Sequence, residues 1–338
     1  MLMNGRDRVM AVLRGAEVDR LPVLPILHTG YATLFEVPLG RFFTNAGVMA
    51  WAMTRGLQRF RFDGVQLSMG VTAEAEALGA RVEQPENGAP LLREHLLSDL
   101  ARLSTLRTVD PTTGGRMPLF FSAVQQVVEE AGGHAFVLAT LRGPLLCAAQ
   151  LRGVEQILID LLEDPAGVER ILDFTTHVAL RLGRWLLAAG AHGLVLGEAT
   201  CSPNFISPKH YRHFVLPRHR QLVGALKEAG WDAVGLHICG DTTAILEDVV
   251  STGVDFMDVD YQVPVERALA LSAGRLALRG NLDPAGLLRF GDPARIRREA
   301  ESLRRSVAGS RWILSSGCDI PPGVPEANLE AFAAAARG

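Results

Sequence analysis

The chain has 338 residues, of which 48% are apolar, and a formal charge of −3. Such a length can be filled by one large α/β unit with a substantial core. The near-neutral balance excludes a basic nucleic-acid face or attraction to an anionic membrane surface. Arginine outnumbers lysine 32 to 2, which reads as compositional bias and not as a binding patch. The four cysteines, Cys147, Cys201, Cys239 and Cys318, have no close spacing, so a disulfide framework is not expected. A reducing, cytoplasmic setting is expected instead. The opening "MLMNGRDRVMAVLRG" carries charges where a signal peptide has its apolar stretch, and "WLLAAGAHGLVLGEA" is too short and too mixed to cross a bilayer.

In chain order, eight short apolar runs read as buried strands: 22–27, 64–69, 135–140, 193–198, 233–238, 255–260, 276–281 and 312–317. Amphipathic stretches separate most of them. The segment from Gly153 to Gly190 predicts two helices broken at Asp164-Pro165. "SPKHYRHFVLPRHRQLVGALKEAG" opens on a Ser-Pro helix entry and stops at Gly230, and "DPARIRREAESLRRSV" has the same entry. The long connection near 70–132 predicts a hairpin over "ARVEQPENGAPLLRE" and a helix. Eight strand–helix units predict an α/β fold, a single-domain (β/α)8 TIM barrel over 1–338 with an N-terminal helix and an insertion near 70–132.

Chemistry in such a barrel sits where strands end. The strand-end residues are His28, Ser68, Thr140 with Arg142, Glu198, His237 with Cys239, Asp260, Asn281 with Asp283, and Cys318 with Asp319. His237 and Cys239 are two apart on an extended segment, so their side chains point to one side. Cys318 ends the last strand and can meet them over the central cavity. One imidazole and two sulfurs are a zinc set with a fourth position left for substrate, the pattern of a catalytic site. Two thiolates cancel the charge of Zn²⁺, so a substrate thiol taken up there loses its proton and stays electron-rich. This favours attack on an alkyl group over activation of water. Taken alone, "H-x-C" reads better as a core cysteine and a satisfied histidine, and it is the third sulfur that tips the balance. The local C-x2-C knuckles of a structural zinc site are absent.

Glu198 has three readings: a ligand that exchanges with the thiol, a proton shuttle, or a solvated loop carboxylate. Cys201 reads as loop packing, Cys147 as core, and His210, His213 and His219 as an exposed helix face. His28, Tyr31, Ser68, Asp260 and Asn281 are the candidate substrate contacts.

Nearly the whole chain resembles the uroporphyrinogen decarboxylase superfamily, and within it the methylcobamide:coenzyme M methyltransferase and CmuA-like branch. The resemblance is carried by "RDRVMAVLRGAEVDRLPV", "TAEAEALGARV", "RGPLLCAAQLRG", "LHICGDTTAIL", "LRGNLDPAGLL" and "GCDIPPGVPEANLEAFAAA". It implies a zinc on His237, Cys239 and Cys318 that activates a small thiol, and a methylcobamide as methyl donor or acceptor on a separate corrinoid protein. Some relatives pass a methyl group from a methylated small molecule to the corrinoid instead. The "D-x-H-x-x-G" pattern of a corrinoid-binding module is absent from this chain. Where the decarboxylases carry an arginine motif after the first strand, this chain reads "ILHTGYATLFEVPLG", so an octacarboxylate would meet an apolar, weakly polar mouth. A decarboxylase of a smaller acid, and a zinc-binding partner without turnover, remain as alternatives. No nucleic acid and no membrane enter any of these readings.

Overall fold

The computed structural model describes residues 3–335 and 337; residues 1, 2, 336 and 338, the extremes of the expected domain, lie outside. Seven parallel strands form one sheet in the order β1-β4-β5-β6-β7-β8-β9. They are β1 (Gly64–Leu67), β4 (Phe136–Arg142), β5 (Gly193–Gly197), β6 (Val234–His237), β7 (Phe256–Val259), β8 (Ala277–Leu282) and β9 (Trp312–Ser316). Between β1 and β4 the expected hairpin is present as β2 (Val82–Glu83) and β3 (Leu91–Leu92), paired antiparallel.

The first expected strand, 22–27, is not part of this sheet as a regular strand. Its one ladder contact is Val23 to Leu314. Its backbone nevertheless serves both edges of the sheet. Leu24 N donates to Leu314 O and Leu314 N to Pro22 O on the β9 side, while Asp63 N donates to Val23 O next to β1. Prolines at 22 and 25 remove two amide donors, which is why the ladder here is thin.

Side chains alternate across each strand as the pleat requires. On β4, Ala139 and Leu141 face the helical layer with β5 residues Leu194 and Leu196. Leu138, Val195, Phe256, Ala277 and Ile313 face inward and form a second, smaller core with Leu24 and Phe136. The helix Gly5–Leu13 adds Val9, Val12 and Leu13 to that inner core and covers its N-terminal end. A buried ion network fixes this cap: Arg8 and Arg20 both bond Asp63, which also accepts from Val23 N. Much of the "RDRVMAVLRGAEVDRLPV" stretch is therefore architectural.

The outer layer follows the sequence closely. Helices Val154–Glu163 and Pro165–Ala188 break at Asp164, whose side chain caps Gly167 N. Pro208–His210, a π-helical turn Tyr211–Val215 and Leu216–Glu228 form one continuous stretch. Among the described residues, no helix is long and apolar enough to cross a membrane.

Candidate metal centre

His237 is the last residue of β6, with Cys239 two positions on, and Cys318 follows β9. Two glycines position the cysteines. Gly240 adopts φ +83°, a conformation that few other residues take, and its N–H donates to Asp260. At Gly317 a Cβ would lie 2.4 Å from Tyr261 N, so only glycine lets the backbone before Cys318 approach the chain just past β7 this closely. Cys239 Sγ lies 3.4 Å from His237 Nε2 and 3.7 Å from Cys318 Sγ, and Cys318 Sγ lies 3.6 Å from His237 Nε2. With zinc bonds of about 2.3 Å to sulfur and 2.0–2.1 Å to nitrogen, tetrahedral ligand atoms lie about 3.5–3.8 Å apart. The three atoms thus already form one face of a tetrahedron of the right size, and these soft and borderline donors suit Zn²⁺.

The other ring nitrogen of His237 is fixed from behind. Nδ1 lies 2.9 Å from Asp258 Oδ2, and Asp258 is gripped by Arg279 through Nε and Nη2, both at 2.6 Å. Strand register explains the row: His237 pairs with Asp258 and Asp258 with Arg279, one residue from each of three adjacent strands. A carboxylate on Nδ1 leaves Nε2 for the metal and makes it a stronger donor. Burial lowers the pKa of His237, but the hydrogen bond to Asp258 and the thiol of Cys318 outweigh it and push the metal-free imidazole up to about 10. The thiols split: Cys239 is lowered by the hydrogen bond from Cys318, and Cys318 is raised by that same partner and by burial.

This centre opens into a cavity of about 230 Å³. His28 and Ser68 line it, as expected of substrate contacts, with Gln66, Thr140, Arg142, Glu198 and Asp319. The backbone N of His28 donates to Asp319. Three of the expected contacts lie elsewhere. Tyr31 packs in the core, where its ring lies against Gly56. Asp260 is buried and caps Gly240 N and Gln262 N. Asn281 lines a separate cavity with Tyr261, Asp283 and Arg295, and its amide donates to Val263 O.

Glu198 lies on the cavity but is wholly buried, not solvated. Its carboxylate accepts from Leu145 N and Leu146 N, at the start of helix Pro144–Arg152, and from His219 Nε2. Here "RGPLLC" has a local meaning: a Cβ on Gly143 would strike the Glu198 carboxyl at 2.5 Å, and Pro144 opens the helix whose first amides bind it. Glu198 groups with Cys201 and His219, not with the three-atom centre. The expectation that His219 lies on an exposed helix face is overturned. It is 0% exposed, with Tyr211 OH at its Nδ1. His213 is exposed as expected, and Cys147 and Cys201 are buried.

Sequence reasoning gave no role to Asp258, Arg279, His219 or Gln66. A signal for the first two exists: each is a single charge in the middle of an apolar strand, at matching positions of consecutive strands. The mouth is also less apolar than expected, since Arg142 reaches the cavity from β4.

The uroporphyrinogen decarboxylase (URO-D) family model matches residues 4–338. The chain belongs to this family. Among its relatives, the methylcobamide:CoM methyltransferase MtbA of Methanosarcina mazei is 28% identical over 98% of this chain and 97% of that protein. A uroporphyrinogen decarboxylase of Synechococcus sp. is 26% identical over 96% of this chain and 94% of its own length. In fold, a methyltransferase from Methanosarcina mazei superposes with a TM-score of 0.91 at 23% identity, covering 99% of this chain and 98% of that one. The URO-D family thus contains both chemistries at similar distance from this chain, and the site must discriminate between them.

Proposed function

We propose that the chain is a zinc-dependent methyltransferase that moves a methyl group between a methylcobamide, carried on a separate corrinoid protein, and a small thiol or similar acceptor. We also read 22–27 as the strand that closes an eight-stranded barrel, with the site at its C-terminal mouth. The observation that carries the reading is the preformed face of two sulfurs and one nitrogen at 3.4–3.7 Å. When bound, Zn²⁺ supplies a position at which a substrate thiol gives up its proton while its sulfur stays nucleophilic.

The chain's own residues supply the rest. Cys239 and Cys318 contribute the negative charge that keeps the centre electron-rich. Asp258, oriented by Arg279, fixes the His237 ring. Glu198 is the carboxylate on the cavity wall suited to exchange with the thiol or take its proton, and its three N–H donors hold it in place. His28 and Ser68 are the substrate contacts, and Ile26, Val71 and Leu146 give the cavity an apolar side. The reaction is an in-line displacement, with sulfur attacking the methyl carbon and the electron pair of the cobalt–carbon bond leaving with cobalt. Decarboxylation of an octacarboxylate is disfavoured by charge, because the cavity sets one arginine, Arg142, beside the carboxylates of Glu198 and Asp319, and a decarboxylase of a smaller acid would differ by keeping its activity without metal.

The test measures zinc content and methyl transfer from methylcobalamin to a panel of thiols, for the wild type and Cys318→Ala. The expected result is near one zinc per chain and transfer in the wild type, with both lost together in the variant. Full activity in metal-free protein would reject the proposal.

A further inference from the structure

Glu198 N donates to His237 O, so the glutamate stands on the strand beside a candidate metal ligand, about 4.8 Å away across the ladder. Both residues line one cavity. A free carboxylate there is itself a good zinc ligand and would compete with a thiol for the fourth position. The side chain nevertheless turns the other way, over the end of β4. Its carboxyl lies where a Cβ on Gly143 would strike it at 2.5 Å.

Three donors hold it there. Oε2 accepts from Leu146 N at 2.8 Å, and Oε1 accepts from Leu145 N at 3.1 Å and from His219 Nε2 at 3.0 Å. The two amides belong to the helix Pro144–Arg152, whereas His219 comes from Leu216–Glu228. Its ring is fixed from behind by Tyr211 OH, 3.1 Å from Nδ1, and both residues are wholly buried. With the hydroxyl donating to Nδ1, the ring hydrogen lies on Nε2 and points at Glu198. The π-helical turn Tyr211–Val215 creates this pairing. It spends an extra residue on the turn, so Tyr211 and His219, eight apart, come nearly onto one face of the helix instead of about 80° apart. Cys201 completes a trio with Glu198 and His219 at metal-ligand spacing. Both carboxylate oxygens are already taken by amides, however, so the trio is a hydrogen-bond network and not a second metal site.

We infer that His219 is a positioning residue: backed by Tyr211, it keeps the Glu198 carboxylate on the helix Pro144–Arg152 and off the metal, which leaves the fourth position to the thiol. This rests on the zinc–thiol reading proposed above, and of the two roles given there to Glu198 it keeps the one beside the metal.

The test uses cobalt(II)-substituted protein, whose absorption reports sulfur at the metal independently of turnover, with 2-mercaptoethanol as the probe. In His219→Phe, which keeps the volume and loses the donor, the thiol dissociation constant rises by about tenfold or more as the carboxylate takes the fourth position. His219→Gln, whose amide can donate to Glu198, stays near the wild type. Gly143→Ala evicts the carboxyl from the same seat without touching His219, so it weakens the thiol in the same way and serves if His219→Phe does not fold. Adding Glu198→Gln to either variant restores thiol binding, because a neutral amide is a poor zinc ligand. Structural damage alone would persist whatever stands at 198. Unchanged thiol affinity in His219→Phe and Gly143→Ala, or a loss that Glu198→Gln does not restore, would overturn the inference. If the thiol leaves the wild-type cobalt spectrum unaltered, the thiol reading itself fails. The positioning role is then read from cobalt affinity, measured by competition with a chelator. It rises in His219→Phe only while residue 198 is glutamate, and equal affinities overturn the role. A wild type that binds no cobalt overturns both.

Discussion

Asp258 does not line the cavity, yet both its oxygens are committed to the row behind His237: one to Arg279, the other to Arg279 and His237. Replacing it by asparagine keeps the shape and removes the charge. Asp258→Asn is expected to weaken metal binding by about 10- to 100-fold, measured by competition with a chromogenic chelator. It also leaves Arg279 buried without a counter-charge, so the urea midpoint falls with it. His192 is a second residue-scale case, far from the site. Burial pulls its pKa down from 6.5 to about 4, and its Nδ1 accepts from Val137 N, a bond that needs the neutral ring. The unfolded chain therefore binds more protons than the native one between these values. Stability is fully present above pH 6.5 and declines as the pH falls towards 4. Unfolding midpoints across that range should show the decline in the wild type and a shallower one in His192→Gln.

Strands β6 and β7 meet inside the sheet through a glycine and a phenylalanine. The two are register partners, and a Cβ on Gly235 would fall 2.2 Å from the Phe256 ring. Arg279 in turn lies over that ring, with its guanidinium carbon 5.5 Å from the centroid. One glycine thus sets the height of the phenylalanine that floors the His237–Asp258–Arg279 row. Gly235→Ala is expected to cost about 1–3 kcal/mol by overpacking, read from chemical denaturation. The displaced row should also give looser metal binding, although no ligand is changed. At this scale most elements were legible beforehand, because period-two apolar runs and helix entries such as Asp164-Pro165 are local signals. The segment 22–27 was the exception. Its apolar run is real, but prolines at 22 and 25 thin its ladder to one bridge, and that depends on which amides its neighbours require.

For the molecule as a whole, the two apolar clusters are separate from the candidate metal centre, whose residues follow the ends of β6 and β9. The fold is therefore expected to survive removal of the ion. Chelation should leave the far-ultraviolet circular dichroism unchanged and lower the Tm. The gain from a bound ion is about 2.7 kcal/mol when free metal is a hundred times its Kd, and Cys318→Ala should abolish the difference between loaded and chelated protein.

The sequence by itself determined the alternation of strands and helices, the strand ends, and the pairing of His237 and Cys239 on one face, because each depends on residues close in the chain. It also placed Cys318 at a strand end, as the candidate third donor beside His237 and Cys239. Only the tertiary structure decided which distant side chains share a cavity or a row. Asp258 and Arg279 became the support of His237 through strand register. Tyr31 and Asn281 left the site, His219 turned inward onto Glu198, and Arg142 came to line the cavity from β4. Burial and hydrogen-bond partnership are properties of neighbours brought together from far apart in the chain, and no local pattern carries them.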